Sequence, residues 1–294
     1  MKIGGFELHD PVPECNESYA IATLRPWIDV NSIGSLVLKE LKSRYDAVEL
    51  GKLYKPGHFY DFTRYRPTID LEEGIRDISI PNSTIHYARR EQESDLLLLR
   101  LLEPHAHAEF YIASVLKLLK RFKVKKYILL GSMYDMVPHT RPLLVSGYGM
   151  GTGAVEELKR TAVLPITYRG PSTILNLIAK ESAELGIDAI VFIVSLPQYV
   201  VIEEDFMGKV RLMELLNSLY NIPVDKKDFE KALEQRTSIA ERVERTPEVK
   251  MVLPQLENVY DMRIRTMKTK EGPQLTPEIE EMLWKTMGKD IGKA

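Results

Sequence analysis

Polar side chains of the types that bind anions or transfer protons follow three apolar segments of the sequence. The apolar segments are Tyr19–Leu24, Tyr127–Leu130 and Ala189–Val194. If these segments are parallel strands, their carboxyl ends lie at one edge of a sheet, which is where open α/β proteins bind ligands. The sequence therefore predicts a ligand-binding or scaffolding site at this edge, formed by Trp27, Asp29, Ser132, Asp135, His139, Thr140, Arg141 and Tyr199.

The chemistry of His139 and Arg141 allows two interpretations of this group. In the first, both side chains bind an anion such as the phosphate of a small molecule, and Asp29 or Asp135 orients it. In the second, which we favour, His139, Thr140 and Arg141 hydrogen-bond the loop backbone, because irregular chain near a core must satisfy its polar groups. No pair has the spacing of a known catalytic device, so no catalytic residue is predicted.

The segment 148–154 fits the permissive G-x-G-x-x-A pattern of dinucleotide-binding loops, through Gly149, Gly151 and Ala154. Such a fingerprint follows the first strand of its unit, and an acid about twenty residues later contacts the ribose. Here the preceding PLLVS is a weak strand, and no acid lies beside Gly170. We therefore interpret the segment as a mobile glycine loop and predict no cofactor.

Two histidines, His105 and His107, precede a predicted helix. Residues two apart on a helix point in different directions, so these two do not favour a shared metal ion. The pattern instead indicates polar roles at the helix start, and no metal site is predicted.

The apolar pattern also predicts the sheet that would position the site. Leu96–Leu99, Tyr127–Leu130 and Ala189–Val194 lack polar alternation, as expected for strands covered on both faces. Between these predicted strands, the segments near 107–121 and 171–185 carry apolar residues at helical spacing. Strand–helix–strand units force parallel pairing with a right-handed connection. The sequence thus predicts an α/β fold, with a mostly parallel twisted sheet flanked by helices.

Composition changes along the chain predict its organisation. Residues 1–224 form the predicted α/β domain, and residues 68–88 form an antiparallel excursion that begins with a hairpin. Residues 225–262 are predicted as a C-terminal helical extension, and residues 263–294 as a peripheral tail. The first extension helix has a sparse apolar stripe at Phe229, Leu233, Ile239 and Val243.

The overall composition limits the classes of function. Among 294 residues, 40 Lys and Arg balance 42 Asp and Glu, and this near-neutral charge does not favour a nucleic-acid binder. No apolar run approaches the length of about 20 residues that spans a bilayer, so no membrane association is predicted. Cys15 is the single cysteine, which excludes an intramolecular disulfide and favours a reducing, cytoplasmic location.

The loop at 58–66 is rich in Tyr, Phe and Arg, residue types that are enriched at protein interfaces. We therefore favour packing at an interface between chains over the alternative, a ligand-binding loop. The residues assigned to that interface are Phe59, Tyr60, Phe62, Tyr65 and Arg66.

Four segments carry a resemblance to a known family: YDFTRYRPTI (60–69), LLGSMYDMVPHTRPLLVSG (129–147), YRGPSTI (168–174) and VSLPQYV (194–200). In this order and spacing they resemble the family of proteasome assembly chaperone 2. Trp27 and Asp29 are similar to that family's Gly-Trp-Asn-Asp-Ala-like loop, although this chain has RPWIDV there. The resemblance implies a phosphorylase/hydrolase-like α/β fold, homo-oligomers that are often trimers, and a chaperone or scaffold role.

Two hypotheses for function follow. The first is a homo-oligomeric, chaperone-like interaction protein without catalysis, whose partners are other copies of itself, with a trimer favoured, or a complex under assembly. The second is an enzyme or binder of a nucleoside-like or phosphate-like small molecule that uses the loops at the carboxyl ends of the parallel strands. We favour the first, because no residue spacing indicates catalysis.

Overall fold

The computed structural model describes residues 1–72, 75–166 and 168–269. The strands are β1 (Lys2–Ile3), β2 (Phe6–Leu8), β3 (Ser18–Arg25), β4 (Val48–Leu53), β5 (Thr68–Glu72), β6 (Ile75–Ser79), β7 (Thr84–Ala88), β8 (Asp95–Leu102), β9 (Val124–Asp135), β10 (Val145–Met150), β11 (Leu164–Pro165) and β12 (Asp188–Pro197). The helices are α1 (Ile33–Arg44), α2 (Ala108–Arg121), α3 (Thr152–Lys159), α4 (Ile174–Glu184), α5 (Phe206–Tyr220), α6 (Lys226–Glu244) and α7 (Pro247–Thr269). No helix in these ranges is both long and apolar enough to cross a membrane.

The main sheet has the strand order β1-β2-β4-β7-β8-β3-β9-β12-β10-β11. Its four central strands, β8, β3, β9 and β12, pair in parallel. The two most apolar predicted strands lie side by side, with Ala189 opposite Tyr127 and Val194 opposite Ser132. This confirms the predicted α/β fold class and its parallel centre, because both strands are buried by helices on the two faces of the sheet.

Antiparallel strands flank the parallel centre. On one side, β7 pairs antiparallel with both β8 and β4, so the predicted excursion returns to the main sheet. The hairpin β5–β6 forms a separate two-stranded sheet. On the other side, β10 runs antiparallel to β12. The excursion therefore has two parts, of which only β7 joins the main sheet.

Alternation along the strands divides the core into two layers. On β3, Ala20, Ala22 and Leu24 face the layer of α2 and α4, whereas Ile21 faces α1 and α5. The side chain of Tyr111 on α2 is fully buried in the first layer. Fully burying a large apolar side chain contributes about 1.5–3 kcal/mol, so these layers supply most of the stabilisation that fixes the strand ends.

The glycine segment is ordered structure, so the prediction of a mobile loop was wrong. Gly149 lies in β10, and Gly151 has a φ of 92° immediately before α3. A Cβ atom on Gly151 or on Gly153 would overlap the carboxylate of Asp188. The positive φ of Gly151 favours glycine at that position, where β10 leads into α3 beside the start of β12.

Helices α6 and α7 follow α5 and bury part of their apolar residues against the loop after β12 and against the rim. Ile239 and Val243 of α6 are buried against Val200, but Phe229 and Leu233 are exposed. The predicted apolar stripe is therefore correct only in its C-terminal half. Helix α7 continues through residue 263, where the tail was predicted to begin, and the residues after 269 lie outside the described part.

Candidate functional site

The carboxyl ends of β9 and β12 form one edge of the sheet, as the parallel pairing requires. We call the edge formed by residues 131–142 and 195–200 the rim. At its centre, the Ser195 hydroxyl donates to Asp135 Oδ2 over 2.7 Å, and Arg263 Nη1 donates to the same oxygen over 2.8 Å. Burial alone would raise the pKa of Asp135, but Arg263 and the hydrogen bonds bring that pKa below its usual value. The carboxylate is therefore held ionised by its partners.

His139 and Tyr199 form a pair at the rim. The Tyr199 hydroxyl accepts the His139 backbone N–H at 2.7 Å and lies 2.8 Å from the His139 ring nitrogen Nδ1. Burial lowers the pKa of His139 and raises that of Tyr199 to about 12. Both groups are thus neutral near pH 7, and the pair supports the loop without carrying charge.

Arg141 is occupied by two carboxylates of helix α7. Its guanidinium donates to both oxygens of Asp261 over 3.2 and 3.1 Å, and Nη1 donates to Glu257 Oε1 over 3.2 Å. The Thr140 hydroxyl also donates to Glu257, and the Tyr260 hydroxyl donates to the Pro142 carbonyl oxygen. Bidentate pairs of this kind fix orientation as well as charge. Helix α7 therefore closes the rim over the histidine–arginine loop.

The space between the rim and α6 is small. A cavity of about 10 Å³ lies beside His139, bounded by Leu143, Val200, Asp205 and Ile239 among others. One water needs about 10–15 Å³ of such volume, so the space does not admit a nucleoside. We expected the side chains of His139, Thr140 and Arg141 to hydrogen-bond backbone groups. They instead contact the side chains of Tyr199, Glu257 and Asp261.

Asp29 and Ser132 also meet at the sheet edge, as neighbours in an isolated parallel bridge. The Ser35 backbone N–H and hydroxyl both donate to the Asp29 carboxylate, over 3.1 and 2.5 Å. The Ser132 hydroxyl donates to the Val30 carbonyl oxygen over 2.7 Å. Burial raises the pKa of Asp29, although Ser35 and Arg25 act against it. These two side chains fasten the start of α1 to β9.

Trp27, by contrast, lies apart from the rim. Its side chain is 65% exposed and lines a separate cleft of about 300 Å³ with Tyr65, Glu103, His105 and Thr173, together with Pro26 and Ser172. Glu103 Oε1 accepts the Ile174 backbone N–H at the start of α4 over 3.0 Å, and burial raises the pKa of Glu103. Glu103 Oε2 and the Thr173 hydroxyl are both buried without a hydrogen-bond partner.

The two histidines of the next loop have different roles. His105 Nδ1 accepts the Asp61 backbone N–H over 3.1 Å, which ties the aromatic loop to the start of α2. His107 occupies the position before α2 in a left-handed conformation, and its side chain makes no capping hydrogen bond. In the described ranges, no group of three His, Cys, Asp or Glu side chains is arranged to hold a metal ion.

The residues predicted for an interface divide by burial. Phe59 and Tyr60 are buried in the chain's own core, where the Tyr60 hydroxyl lies 2.6 Å from that of Ser83. Phe62 and Tyr65 are half-buried, and Arg66 is exposed. The first two residues thus have partners within the chain, and contact with another chain stays a prediction for the loop.

Sequence reasoning missed Glu257, Asp261 and Arg263, because it treated their helix as a charged surface. Charge complementarity is the sequence signal that could have found them, since two acids and a base on one helix match Arg141 and Asp135 on the rim. Together, the fold and the rim define an open α/β sheet whose strand-end loops are closed by the chain's own C-terminal helix.

The chain belongs to the PAC2 family, whose model matches residues 23–245. The solved structures similar to it include the Mycobacterium tuberculosis protein of unknown function Rv2714, with a TM-score of 0.79 at 23% identity, covering 92% of this chain and 93% of that one. A PAC2 family protein from Streptomyces avermitilis has a TM-score of 0.71 at 22% identity, covering 81% and 99%.

A further similar structure is the Mycobacterium tuberculosis proteasome-assembly chaperone homologue Rv2125, with a TM-score of 0.71 at 20% identity, covering 80% of this chain and 99% of that one. At these identities the likeness establishes the fold. No curated protein sequence matches the chain significantly.

Proposed function

We propose that this chain is a homo-oligomeric interaction protein with an assembly role, and that it acts through its surface rather than through chemistry. Membership of the PAC2 family supports this role, as does the fold shared with a protein named as a proteasome-assembly chaperone homologue. At the rim, the groups best suited to chemistry already bond within the chain, since Arg141 is held by Glu257 and Asp261.

The hairpin β5–β6 is the observation that carries the proposal. Ile69 and Ile78 lie directly opposite each other in the register and are 62% and 59% exposed, and Ile80 beyond them is 49% exposed. A two-stranded hairpin is marginally stable in water unless an apolar face is covered. A second copy of the chain that covers these isoleucines would stabilise the hairpin, and a trimer is the stoichiometry we favour.

Light scattering coupled to size exclusion tests this proposal. We expect an oligomer at micromolar concentration, and we expect the double substitution Ile69→Asp with Ile78→Asp to convert it to monomer. Leu177→Asp, which changes an exposed leucine on α4, serves as the matched control and should leave the oligomer intact. A wild-type chain that stays monomeric up to about fifty times its working concentration would contradict self-association.

The assembly role needs a separate measurement. The tagged chain and its double-aspartate hairpin variant are each recovered from the native host, and their partners are quantified by mass spectrometry. A stoichiometric complex that is lost with the variant would support assembly through the hairpin. Recovery of the chain's own copies alone would limit the role to self-association.

The cleft beside Trp27 favours a second candidate function, the binding of a small molecule. Strand β3 continues through α1 on one face of the sheet, whereas β8 continues through α2 on the other face. The carboxyl ends of these neighbouring strands are therefore a topological switch point, where open sheets bind ligands. The Trp27 and Tyr65 rings suit a planar group, and Glu103 suits a hydrogen-bond donor such as an amino group.

A thermal-shift panel of nucleosides tests this candidate, because a ligand that binds only the native state raises the melting temperature. We expect a shift that disappears in Trp27→Ala and persists in Tyr168→Ala, a control at another exposed aromatic side chain. Absence of any shift at millimolar ligand would exclude nucleosides from the cleft.

A further inference from the structure

A group of cationic side chains lies beside α1, on the face of the sheet opposite α2. In the strand register, Arg100 of β8 has Thr23 of β3 on one side and Thr84 of β7 on the other. His86 lies two residues along β7 and therefore on the same face. We call Arg25, Lys42 and Arg100 the cationic cluster, and His86 is its neighbour on β7.

The pKa shifts of these groups agree with the placement that the strand register gives. Burial lowers the pKa of Arg100, and the charge of Arg25 lowers it further. Burial also lowers the pKa of Lys42 and of His86, and the charge of Arg100 acts in the same direction on both. Like charges disfavour one another's charged forms, so the cluster is under mutual repulsion.

The acids in this region offset the charge of the cluster only in part, since Glu49 acts on the pKa of Lys42 against the effects of burial and of Arg100. Asp29 partly offsets the charge of Arg100, but its carboxylate already accepts two hydrogen bonds from Ser35 and lies 3.8 Å from Arg25 Nε. Glu49 lies between two imidazoles, 3.7 Å from His9 Nε2 and 4.0 Å from His86 Nε2.

Arg100 itself has no directly bonded partner in the part of the chain that the structure describes. It forms no hydrogen bond or ion pair with any side chain in the described ranges, although it is half-buried. The neighbouring Thr23 is fully buried, and its hydroxyl also has no hydrogen-bond partner. A partly desolvated guanidinium without a counter-ion is unfavourable, because charges removed from water need compensation.

We propose that the cationic cluster is a binding site for an oxyanion, with Arg100 as its principal ligand. The guanidinium presents its donors as a rigid fork that matches the oxygens of phosphate, sulfate or a carboxylate. Arg25 and Lys42 add positive charge beside it. Binding would replace repulsion among the cations with attraction to a shared anion. This site goes beyond the interaction role and is separate from both the rim and the Trp27 cleft.

The test uses inorganic phosphate and sulfate, titrated against the full-length protein at constant ionic strength with sodium chloride as the balancing salt. We expect a saturable rise in melting temperature. In Arg100→Gln the apparent dissociation constant should weaken at least about tenfold, which is about 1.4 kcal/mol, because the variant loses the charge-assisted hydrogen bonds to the anion. Lys42→Gln should weaken it less. Arg160→Gln, at an exposed arginine on α3's end, is the matched control and should bind as the wild type does.

Two results would overturn the proposal. One is a melting-temperature rise that does not saturate and is equal in wild type and Arg100→Gln, because excluded salts stabilise any folded protein in that way. The other is the absence of a rise in wild type. If Arg100→Gln does not fold, the titration of Lys42→Gln tests whether the cluster binds the anion. Unchanged phosphate affinity in that variant would contradict the proposal.

Discussion

Asp29 and Asp135 lie at the same edge of the sheet, yet the pKa values of their carboxyl groups are shifted in opposite directions. Asp29 is buried with hydroxyl and amide donors, and burial dominates, so its pKa is raised. Asp135 is half-buried, but the guanidinium of Arg263 and the Ser195 hydroxyl outweigh the effect of burial and lower its pKa. The sign thus follows the distance of the arginine, because Arg263 hydrogen-bonds Asp135 over 2.8 Å whereas Arg25 lies 3.8 Å from Asp29.

The two aspartates should contribute to stability with opposite pH dependence. Because the folded-state pKa of Asp135 is depressed, its contribution is present above the unfolded value of about 3.9 and is lost as pH falls through the folded value. Asp135→Asn should cost about 1–3 kcal/mol at pH 7 and less below pH 4, as measured by urea unfolding. A cost that stays constant with pH would contradict the assignment.

For Asp29 the sign reverses. Its raised pKa means that the folded state binds the proton more tightly, so its contribution is present at low pH and is lost as pH rises through the folded value. The stability of the wild type relative to Asp29→Asn should therefore increase as pH falls from 7. Urea unfolding at several pH values measures this difference in stability. The Asp135→Asn variant, measured in the same way, should show the opposite trend.

At the scale of elements, α7 is held to the rim by ion pairs as well as by apolar packing. Tyr260 packs against Val137 and Leu144, Ile264 packs on the same cluster, and Leu256 is fully buried. The remaining contacts are ion pairs and hydrogen bonds to Arg141, Asp135 and neighbouring loop atoms. Partly exposed ion pairs weaken as salt screens them, so closure of the rim should depend on ionic strength.

Limited trypsin cleavage between α6 and α7 measures this closure. Arg245 is exposed at the junction, and its cleavage rate should rise a few-fold between 0.1 and 1 M sodium chloride, where the screening length falls from about 10 to 3 Å. The double variant Glu257→Gln with Asp261→Asn should be cleaved quickly at both salt concentrations. A rate independent of salt in the wild type would show that apolar packing holds the helix.

The elements differ in how far the sequence predicts them. Tyr127–Leu130 and Ala189–Val194 were predictable because a strand buried on both faces needs a continuous apolar run. The pairing of α7 with Arg141 was not, since ion pairs about 120 residues apart leave no local periodicity. Phe59 and Tyr60 illustrate a third case, because an aromatic residue suits a core and an interface equally well.

At the scale of the whole molecule, stability should be unevenly distributed. The central strands β3, β9 and β12 lie between two apolar layers, whereas α6 and α7 cover one edge with many exposed side chains. Elements with few buried apolar contacts open without global unfolding. We therefore expect this chain to combine a rigid sheet with a less stable covering at its strand ends.

Native-state hydrogen exchange should separate these two parts. Amides of β9 and β12 should exchange only by global unfolding, with a denaturant dependence equal to that of the whole protein. Amides of α7 should exchange through local opening, at a lower free energy and with little dependence on denaturant. Equal protection of α7 and β12 would mean that the rim opens only when the entire chain unfolds.

The contact between Arg141 and Asp261 joins residues that are 120 positions apart. A ribosome adds about 5–20 residues per second, so roughly 6–24 s separate the synthesis of the loop from that of its covering helix. Throughout that interval the arginine has no carboxylate from α7 to bind. Nascent chains could therefore meet acidic partners that the finished protein excludes.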